Sequence, residues 1–251
     1  MNHRVIPALF LSLAAAGTAV AQDDVFQGAQ DAEPMEPVEE PTWSAEVELG
    51  MVDTSGNTNT NTSNGSARVV HERDYWRHRG EIGALRAREE GVTTAERYTA
   101  AAKSDYKFRP RDYVFLALRY EDDRFSGYDY RASEAVGYGR KILDSDRFRL
   151  DAEIGGGARQ ERITDGESDQ QGLGRLAGDF RWQLSETARF SQTLLLEVDG
   201  GTYTRSITGL SARVVESLSM RLSHEIRQNT DVPPYTEETD TITSVNLVYS
   251  L

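Results

Sequence analysis

The sequence has no cysteine, and it is poor in apolar residues and in bases. Without cysteine there is no disulfide framework, no thiol nucleophile and no cysteine-ligated zinc. Hydrophobic residues make up 38% of the chain. No apolar run of the ~20 residues that a spanning helix needs follows the first twenty positions, which excludes a polytopic helical membrane protein. Lys and Arg total 28 against 41 acids, a net charge of −13 that disfavours electrostatic binding to nucleic acid.

The first 41 residues differ in composition from the rest. His3 and Arg4 precede an apolar stretch, and Ala19-Val20-Ala21 forms a small-x-small cleavage pattern. Residues 1–21 are therefore predicted to be a secretory signal peptide. Residues 22–41 contain seven acids, three prolines and no base. Like charges repel and proline resists regular pairing, so this segment is predicted to be an acidic, disordered leader. The folded domain is predicted over residues 42–251.

From Thr42 onward, apolar and polar residues alternate. Trp43, Ala45, Val47 and Leu49 share one parity, and polar residues such as Glu46 and Glu48 share the other. Successive side chains of a β-strand point to opposite faces, so such segments predict strands with one apolar and one charged face. The chain is therefore predicted to be all-β.

Turn-forming residues divide the alternating region into twelve segments. Short polar turns are predicted at 72–75, 109–112, 144–147, 185–188 and 217–219. Longer loops are predicted between them, at 53–57, 89–94, 124–130, 161–169, 200–205 and 230–238. Alternating short turns and longer loops predict an antiparallel up-and-down β-barrel of about 12 strands with both termini on the short-turn side.

The positions of the aromatic residues indicate whether the polar face or the apolar face of the barrel points outward. A soluble barrel or sandwich buries its apolar face, whereas a transmembrane barrel turns that face to lipid. One group of aromatics lies near the termini or short turns: Trp43, Tyr75, Trp76, Tyr113, Phe148, Trp182, Phe190 and Tyr249. A second group lies at the longer-loop end: Tyr98, Tyr120, Phe125, Tyr128, Tyr130, Tyr203 and Tyr235. Two aromatic bands match the two interfaces of a membrane and favour a transmembrane barrel.

A transmembrane barrel of this parity turns its charged residues into the lumen. The predicted lumen-facing charges are six acids and five bases: Glu46, Glu48, Arg149, Asp151, Glu153, Arg175, Asp179, Arg181, Arg221, Glu225 and Arg227. A selective pore usually carries rings of one sign, whereas interspersed charges form ion pairs that fill a narrow barrel. The composition of the lumen leaves a channel and a closed barrel open.

Few residues suggest catalysis or metal binding. His71 and His78 flank one turn, which does not establish a metal site. His224 shares the parity of Leu222 and Ile226, so it is predicted to face lipid, and no serine in the sequence pattern is paired with it. The acidic loops around Asp122 and Asp165 lack the ligand spacing of a calcium loop. We therefore predict no enzyme activity, cofactor or metal.

Several motifs resemble a known family. They include Thr54-Ser55-Gly56-Asn57-Thr58, Tyr120 to Asp129 (YEDDRFSGYD), Gly137-Tyr138-Gly139 and Asn229 to Pro234 (NTDVPP). Across residues 43–251 the chain resembles the salt-induced outer-membrane protein family (YdiY-like), a domain of unknown function, although Ser55 is inserted in the first motif. The resemblance implies an outer-membrane barrel of a Gram-negative bacterium and no particular activity.

Three functional hypotheses follow. The first is a small passive channel or an envelope-structural barrel, with a role in osmotic stress that only the family's name suggests. The second is a closed barrel whose outer loops bind lipopolysaccharide or a protein partner. The third is an outer-membrane hydrolase with His224 as its one candidate base. The expected partners are outer-membrane lipid, lipopolysaccharide and the barrel-assembly machinery, which would recognise the C-terminal strand 245–251.

Overall fold

A computed structural model describes residues 42–54, 60–125, 128–163, 168–231 and 238–251. The predicted signal peptide, the whole predicted leader (22–41) and parts of four outer loops lie outside the described residues. Twelve strands are present: β1 (Thr42–Thr54), β2 (Thr60–Arg73), β3 (Trp76–Glu89), β4 (Val92–Lys107), β5 (Asp112–Asp123), β6 (Tyr128–Asp144), β7 (Phe148–Ile163), β8 (Ser168–Gln183), β9 (Ala188–Val198), β10 (Thr202–Val215), β11 (Leu218–Asn229) and β12 (Thr239–Ser250). In the described part of the chain, no helix is long and apolar enough to cross a membrane.

The strands form one closed antiparallel barrel. Each strand pairs with its neighbours in the sequence, and β12 returns to pair with β1. This confirms the predicted fold class and the predicted number of strands. Because the barrel is closed, every strand has a hydrogen-bonded neighbour on both sides over at least part of its length. A sheet that spans a membrane needs such neighbours, because lipid offers no hydrogen-bond partners to the backbone.

Two of the predicted longer loops are wrong. Residues 89–94 belong almost wholly to β3 and β4, which are joined by the two-residue turn Glu90-Gly91. Both residues have positive φ, 49° and 81°, the conformation of the tight hairpin turn that places glycine second. Residues 200–205 lie mostly in β10, which follows β9 after a three-residue turn. The hairpins β3–β4 and β9–β10 therefore extend further toward the loop end of the barrel than the polar composition of these segments predicts.

The outer face is apolar along most strands. Leu49, Ile82, Leu116, Val136 and Leu176 are exposed there, as lipid-facing residues of a membrane barrel are. Aromatic rings contact one another at the short-turn end, including the pairs Trp43–His71, Trp76–Tyr106 and Phe148–Trp182. At the other end, the ring of Tyr120 stacks on that of Tyr130.

Three aromatics assigned above to the outer bands lie inside the barrel instead. Tyr113, Tyr128 and Tyr203 are only 2%, 5% and 4% exposed. Each of these residues lies near a strand end, as a residue at a membrane interface does. In the alternation along its strand, however, each occupies a position that points into the lumen. Tyr235 lies outside the described residues.

Glycines make room for two of the inward-facing rings. Tyr113 on β5 is directly opposite Gly139 on β6, and Phe115 is directly opposite Gly137. A Cβ added at Gly139 would overlap the ring of Tyr113, and one added at Gly137 would lie 2.7 Å from Cζ of Phe115. The rings therefore fill the space above glycine backbone, as in aromatic rescue of a glycine in a sheet.

The seam between β1 and β12 is paired along only part of its length. The ladder runs over five residue pairs, from Glu46 opposite Ser250 to Gly50 opposite Asn246. Below it, Ala45 and Leu251 exchange two backbone hydrogen bonds of 3.1 and 2.8 Å. Among the described residues, 51–54 of β1 do not pair with 239–245 of β12, so the seam is unpaired toward the loop end.

Candidate functional site: the charged lumen

The structure places all eleven sequence-predicted luminal charges on the inner face. Seven are buried: Glu48, Glu153, Arg175, Asp179, Arg181, Arg221 and Arg227. The other four, which are Glu46, Arg149, Asp151 and Glu225, are half-buried. A charge inside a barrel must be paired or hydrated, so the partners of these side chains decide whether the lumen holds water or protein.

One continuous chain of ion pairs fills the lumen between β4 and β9. Lys103 lies within 3.5 Å of Asp105 and forms a close ion pair with Glu153, to which the Tyr113 hydroxyl also donates a 2.8 Å hydrogen bond. Arg175 continues the chain at 3.9 Å from Glu153 and 3.2 Å from Glu197. The side chains of Lys103, Asp105 and Glu153 are 0% exposed, so no bulk water reaches them.

Two contacts span the lumen from β5 to the far wall. Arg227 Nη1 on β11 lies 3.1 Å from Glu121 Oε2 on β5. Arg119 Nη2 on β5 donates a 3.2 Å hydrogen bond to the Tyr203 hydroxyl on β10. Five strands lie between β5 and β11 and four lie between β5 and β10, so both contacts join nearly opposite walls of the barrel. These contacts, called the cross-lumen struts below, divide the interior into two parts.

A second set of pairs lines the wall near the seam. Arg221 Nη1 donates a 2.7 Å hydrogen bond to Glu48, which also accepts a bond from Asn246. Arg68 lies 2.9 Å from Glu46 and 2.8 Å from Glu81. These ion pairs therefore join strands that are adjacent or separated by one strand, and they do not cross the lumen.

Some predicted residues face a like charge. Arg149 is directly opposite Arg181, and Asp151 is directly opposite Asp179. Arg181 relieves part of the repulsion through a 2.7 Å ion pair with Asp179 on its own strand. The pairing register between strands determines which charges lie next to each other. Alternation along a single strand does not contain that information.

Sequence analysis missed the most buried members of the network. Asp105 and Glu121 are 0% and 1% exposed, and Lys103, Arg79 and Glu197 are also buried. Lys103, Asp105 and Lys107 share one parity of β4, so strict alternation carried through every segment identifies them. The polar composition of β4, in which charged and small residues occupy both faces, hid that signal.

A polar cavity of about 90 Å³ remains on the seam side of the lumen. It is lined by Glu48, Asn64, Arg97, Thr99, Arg205, Ser223, Glu225, Arg227, Ile242, Ser244 and Asn246, together with backbone and small side chains of β2 and β3. The luminal cavity, as we call it, is roomy and polar enough for ordered water. Two further cavities in the described part of the barrel, one beside Tyr203 and one beside Asp199, measure about 10 Å³ each.

His71 and His78 lie at the short-turn end of the barrel, on its outer face. His71 stacks on Trp43, and His78 accepts or donates a 2.9 Å hydrogen bond with Ser104 on the outer face. No group of three or more histidine or acidic side chains in the described ranges is placed to hold a metal ion. Asp165 of the acidic loop lies outside those ranges.

His224 faces outward and has a hydroxyl neighbour that its own strand does not provide. Its Nδ1 lies 2.8 Å from Oγ1 of Thr243 on β12. No carboxylate in the described structure hydrogen-bonds to His224. The pair therefore lacks the third group that orients a catalytic base in hydrolases.

Acidic residues also gather at the loop end of the lumen. Asp199, in the turn between β9 and β10, pairs closely with Arg159. Burial raises the pKa of the Asp199 carboxyl, and the positive charge of Arg159 opposes that rise only in part. The same region contains Glu161, Asp169 and Asp231.

The barrel is similar to solved outer-membrane structures. The translocator domain of the autotransporter NalP from Neisseria meningitidis aligns with a TM-score of 0.50 and 10% identity, covering 88% of this chain and 89% of that one. The COG4313 outer membrane channel from Pseudomonas putida F1 aligns at a TM-score of 0.46 and 11% identity, over 86% and 96% of the two chains. At such identities the likeness to NalP shows the fold of an outer-membrane barrel and no shared activity.

Sequence comparison identifies closer relatives. The chain is 27% identical over 255 residues to "Uncharacterized protein YdiY" of Escherichia coli (strain K12), covering 99% of this chain and 98% of that protein. The family model described as "Protein of unknown function, DUF481" matches residues 47–251, the whole barrel except part of its first strand. The expected resemblance is confirmed, and the chain belongs to the DUF481 family.

Proposed function

We propose that this protein is an envelope-structural barrel of the outer membrane whose lumen does not conduct solutes at rest. The observation that carries the proposal is the pair of cross-lumen struts, Glu121–Arg227 and Arg119–Tyr203. A passive channel needs a continuous water path from end to end. These struts, with the dry ion pairs around Lys103, occupy the section through which such a path would run.

Conductance of the refolded mature chain in a planar bilayer tests the proposal. Folding is first verified by heat-modifiable migration on a gel. The wild-type barrel is expected to give no discrete current steps at neutral pH. Regular, reproducible steps from demonstrably folded protein would overturn the closed lumen and restore the passive-channel hypothesis.

A pair of matched variants shows whether the struts are the cause. Glu121→Gln combined with Arg227→Gln removes both charges of one strut together, and it also removes the carboxylate that Arg119 and Arg131 share. We expect this double variant to produce current steps or bursts. The control is Glu96→Gln with Arg124→Gln, which removes a 3.0 Å ion pair at the outer rim where Arg124 is 58% exposed. That control is expected to remain silent.

The export and location of the chain form part of the same proposal. The signal pattern at 1–21 would direct export, and the C-terminal strand 245–251 would be recognised by the barrel-assembly machinery. Lipopolysaccharide would surround the outer leaflet half of the barrel. Fractionation should recover the mature chain in the outer membrane, and its recovery in the periplasm as soluble protein would contradict this location.

The two other hypotheses have less support. Binding through long outer loops loses two of its six loops, because 89–94 and 200–205 are largely strand. A hydrolase centred on His224 has a neighbouring hydroxyl but no orienting carboxylate in the described structure. Lipid hydrolysis that disappears in His224→Ala but persists in His78→Ala would reinstate it.

A further inference from the structure

The unpaired upper part of the seam is an opening in the barrel wall toward the loop end. Strand β1 continues to Thr54 and β12 begins at Thr239, yet their ladder ends at Gly50 opposite Asn246. The backbone N–H and C=O groups on the facing edges of 51–54 and 239–245 have no strand partner across the seam. Lipid cannot satisfy such groups, so a spanning barrel retains an open edge only beside protein or a polar cavity.

The luminal cavity lies directly behind this opening. Both seam strands contribute to its lining, β1 through Glu48 and β12 through Ile242, Ser244 and Asn246. At the bottom of the opening, Asn64 Nδ2 donates a 3.2 Å hydrogen bond to Asn246 Oδ1, and Asn246 bonds in turn to Glu48. The opening therefore leads from the lipid side to hydrogen-bonding side chains inside.

The outer surface beside the opening is also polar. Thr241 and Thr243 are exposed on the outward face of β12, and they alternate with Ile242 and Ser244, which line the cavity. Thr243 contacts His224 on the next strand. Leu247 and Tyr249, beside the paired part of the seam, are the apolar and aromatic residues usual on a lipid-facing strand.

We propose that the upper β1–β12 seam is a lateral port, through which the head group of a single-chain amphiphile enters the luminal cavity while its tail stays in the lipid. The polar threonines guide the head group along the outside, and the free backbone groups of the open edge bind it in passage. This activity goes beyond the structural role proposed above, because the port joins the cavity to the bilayer without an end-to-end water path.

The cavity lining selects an uncharged, hydroxylated head group. Its arginines and glutamates already have partners of opposite charge: Glu225 lies 3.0 Å from Arg205, and Glu48 lies 2.7 Å from Arg221, which lies outside the lining. All three arginines and both glutamates of the lining are paired in this way, so a charged ligand would have to displace an existing ion pair. Hydroxyl and amide groups, such as those of Thr99, Ser244 and Asn64, match the hydroxyls of a glycerol-type head, and the volume of about 90 Å³ limits its size.

Binding of a fluorescent monoacylglycerol to the full mature barrel in phosphatidylcholine liposomes tests the site. Ser244→Phe places a ring in the cavity, whereas Leu247→Phe places the same ring on the lipid-facing side of the same strand, beside the paired part of the seam. We expect saturable binding to the wild type, at least tenfold weaker binding to Ser244→Phe, and at most a twofold change in Leu247→Phe. Alkyl phosphate, alkyl ammonium and free glycerol are expected to compete poorly.

A reversible crosslink across the opening tests the route. Because the chain has no cysteine, Met51→Cys with Val245→Cys introduces a single thiol pair across the unpaired seam. Oxidation joins the pair, or a short bismaleimide joins it where the separation exceeds the ~7 Å Cα limit of a disulfide. Leu49→Cys with Leu247→Cys, which are already opposite each other in the ladder, is the control.

The crosslinked upper pair is expected to slow probe entry at least tenfold, with the reduced or unlinked protein at the wild-type rate and the lower pair without effect. The proposal is overturned if no saturable binding occurs, if Ser244→Phe binds as the wild type does, or if the upper crosslink leaves entry unchanged. Binding of free glycerol as tightly as the monoacylglycerol would also overturn it. Current steps in the wild type would contradict the closed lumen alone, so failure of the two proposals is distinguishable.

Discussion

Charged side chains are stabilised differently on the two sides of the lumen. Between β4 and β9, charges are dry and paired: Lys103 and Asp105 are fully buried beside Tyr113 and Phe115. Beside the seam, charges line the luminal cavity of about 90 Å³, where water can complete their hydrogen bonds. We call these the packed side and the hollow side. The contrast teaches that this lumen is neither a uniform pore nor a uniform plug.

The difference has a cause in the sequence of the strands. On the packed side, bulky rings on β5 lie over glycines on β6, so the two strands and their charges fill the interior. On the hollow side, short polar residues such as Ser223, Ser244 and Thr99 occupy some of the inward positions among the charged ones. Short side chains cannot reach across the barrel, and the space they leave forms the cavity.

Removing a cation should have the largest effect on the packed side. Lys103→Met leaves the carboxylates of Asp105 and Glu153 close together without their shared cation. Breaking a dry ion pair in this way is expected to lower the free energy of unfolding by about 3–5 kcal/mol. Urea titration of the refolded barrel in liposomes, followed by tryptophan fluorescence, measures it.

Arg97→Met is the matched change on the hollow side. Arg97 lines the cavity and lies 3.8 Å from Asp123, whose side chain is 12% exposed, so water can solvate the carboxylate that remains. We expect a loss of about 1 kcal/mol or less, as for a hydrated ion pair. Equal losses in Lys103→Met and Arg97→Met would abolish the distinction between the two sides.

The next largest loss of stability is expected from a methyl group added beneath the buried ring of Tyr113. Gly139→Ala places a Cβ against the ring of Tyr113, which is only 2% exposed and has little room to move. Overpacking of this kind is expected to cost about 1–3 kcal/mol in the same urea titration. The expected loss should shrink in a Tyr113→Ala background, where the ring is gone.

Gly174→Ala is the control for this methyl group. Its Cβ meets only the backbone oxygen of Val198, at 3.9 Å, an ordinary contact distance. Its effect on stability should stay within about 0.5 kcal/mol, the usual range for a surface substitution. A loss in Gly174→Ala as large as that in Gly139→Ala would show that strand propensity, and not the ring, accounts for both.

The fold was largely predictable because alternation and turn residues are local signals. Twelve strands, the antiparallel order and the inward parity of Glu153 and Arg175 follow from neighbouring residues alone. The turn at Glu90-Gly91 was predicted as a longer loop because polar residues occur both in loops and in strand ends that rise above the lipid. Polarity does not separate these two environments.

The candidate site was only partly predictable because it depends on contacts between distant strands. The strut from Arg227 to Glu121 joins residues 106 positions apart, and no local pattern specifies which luminal charges meet. The incomplete ladder between Gly50 and Asn246 depends likewise on how the first and last strands align. The inward position of Tyr203 depends on one residue of parity in a strand that appeared to be a loop.

The smallest effect should come from removing hydroxyls beside the cavity. The Oγ atoms of Ser223 and Ser244 lie 2.8 Å apart on the hollow side. Replacing both with alanine removes donor and acceptor together, so neither remains buried without a partner, and we expect a change of no more than about 1 kcal/mol. Ser223→Ala alone should behave similarly, because water in the cavity can replace the lost hydroxyl. A single variant that costs about 2 kcal/mol or more in the urea titration would show that this side is as dry as the packed side, and the contrast between the two would fail.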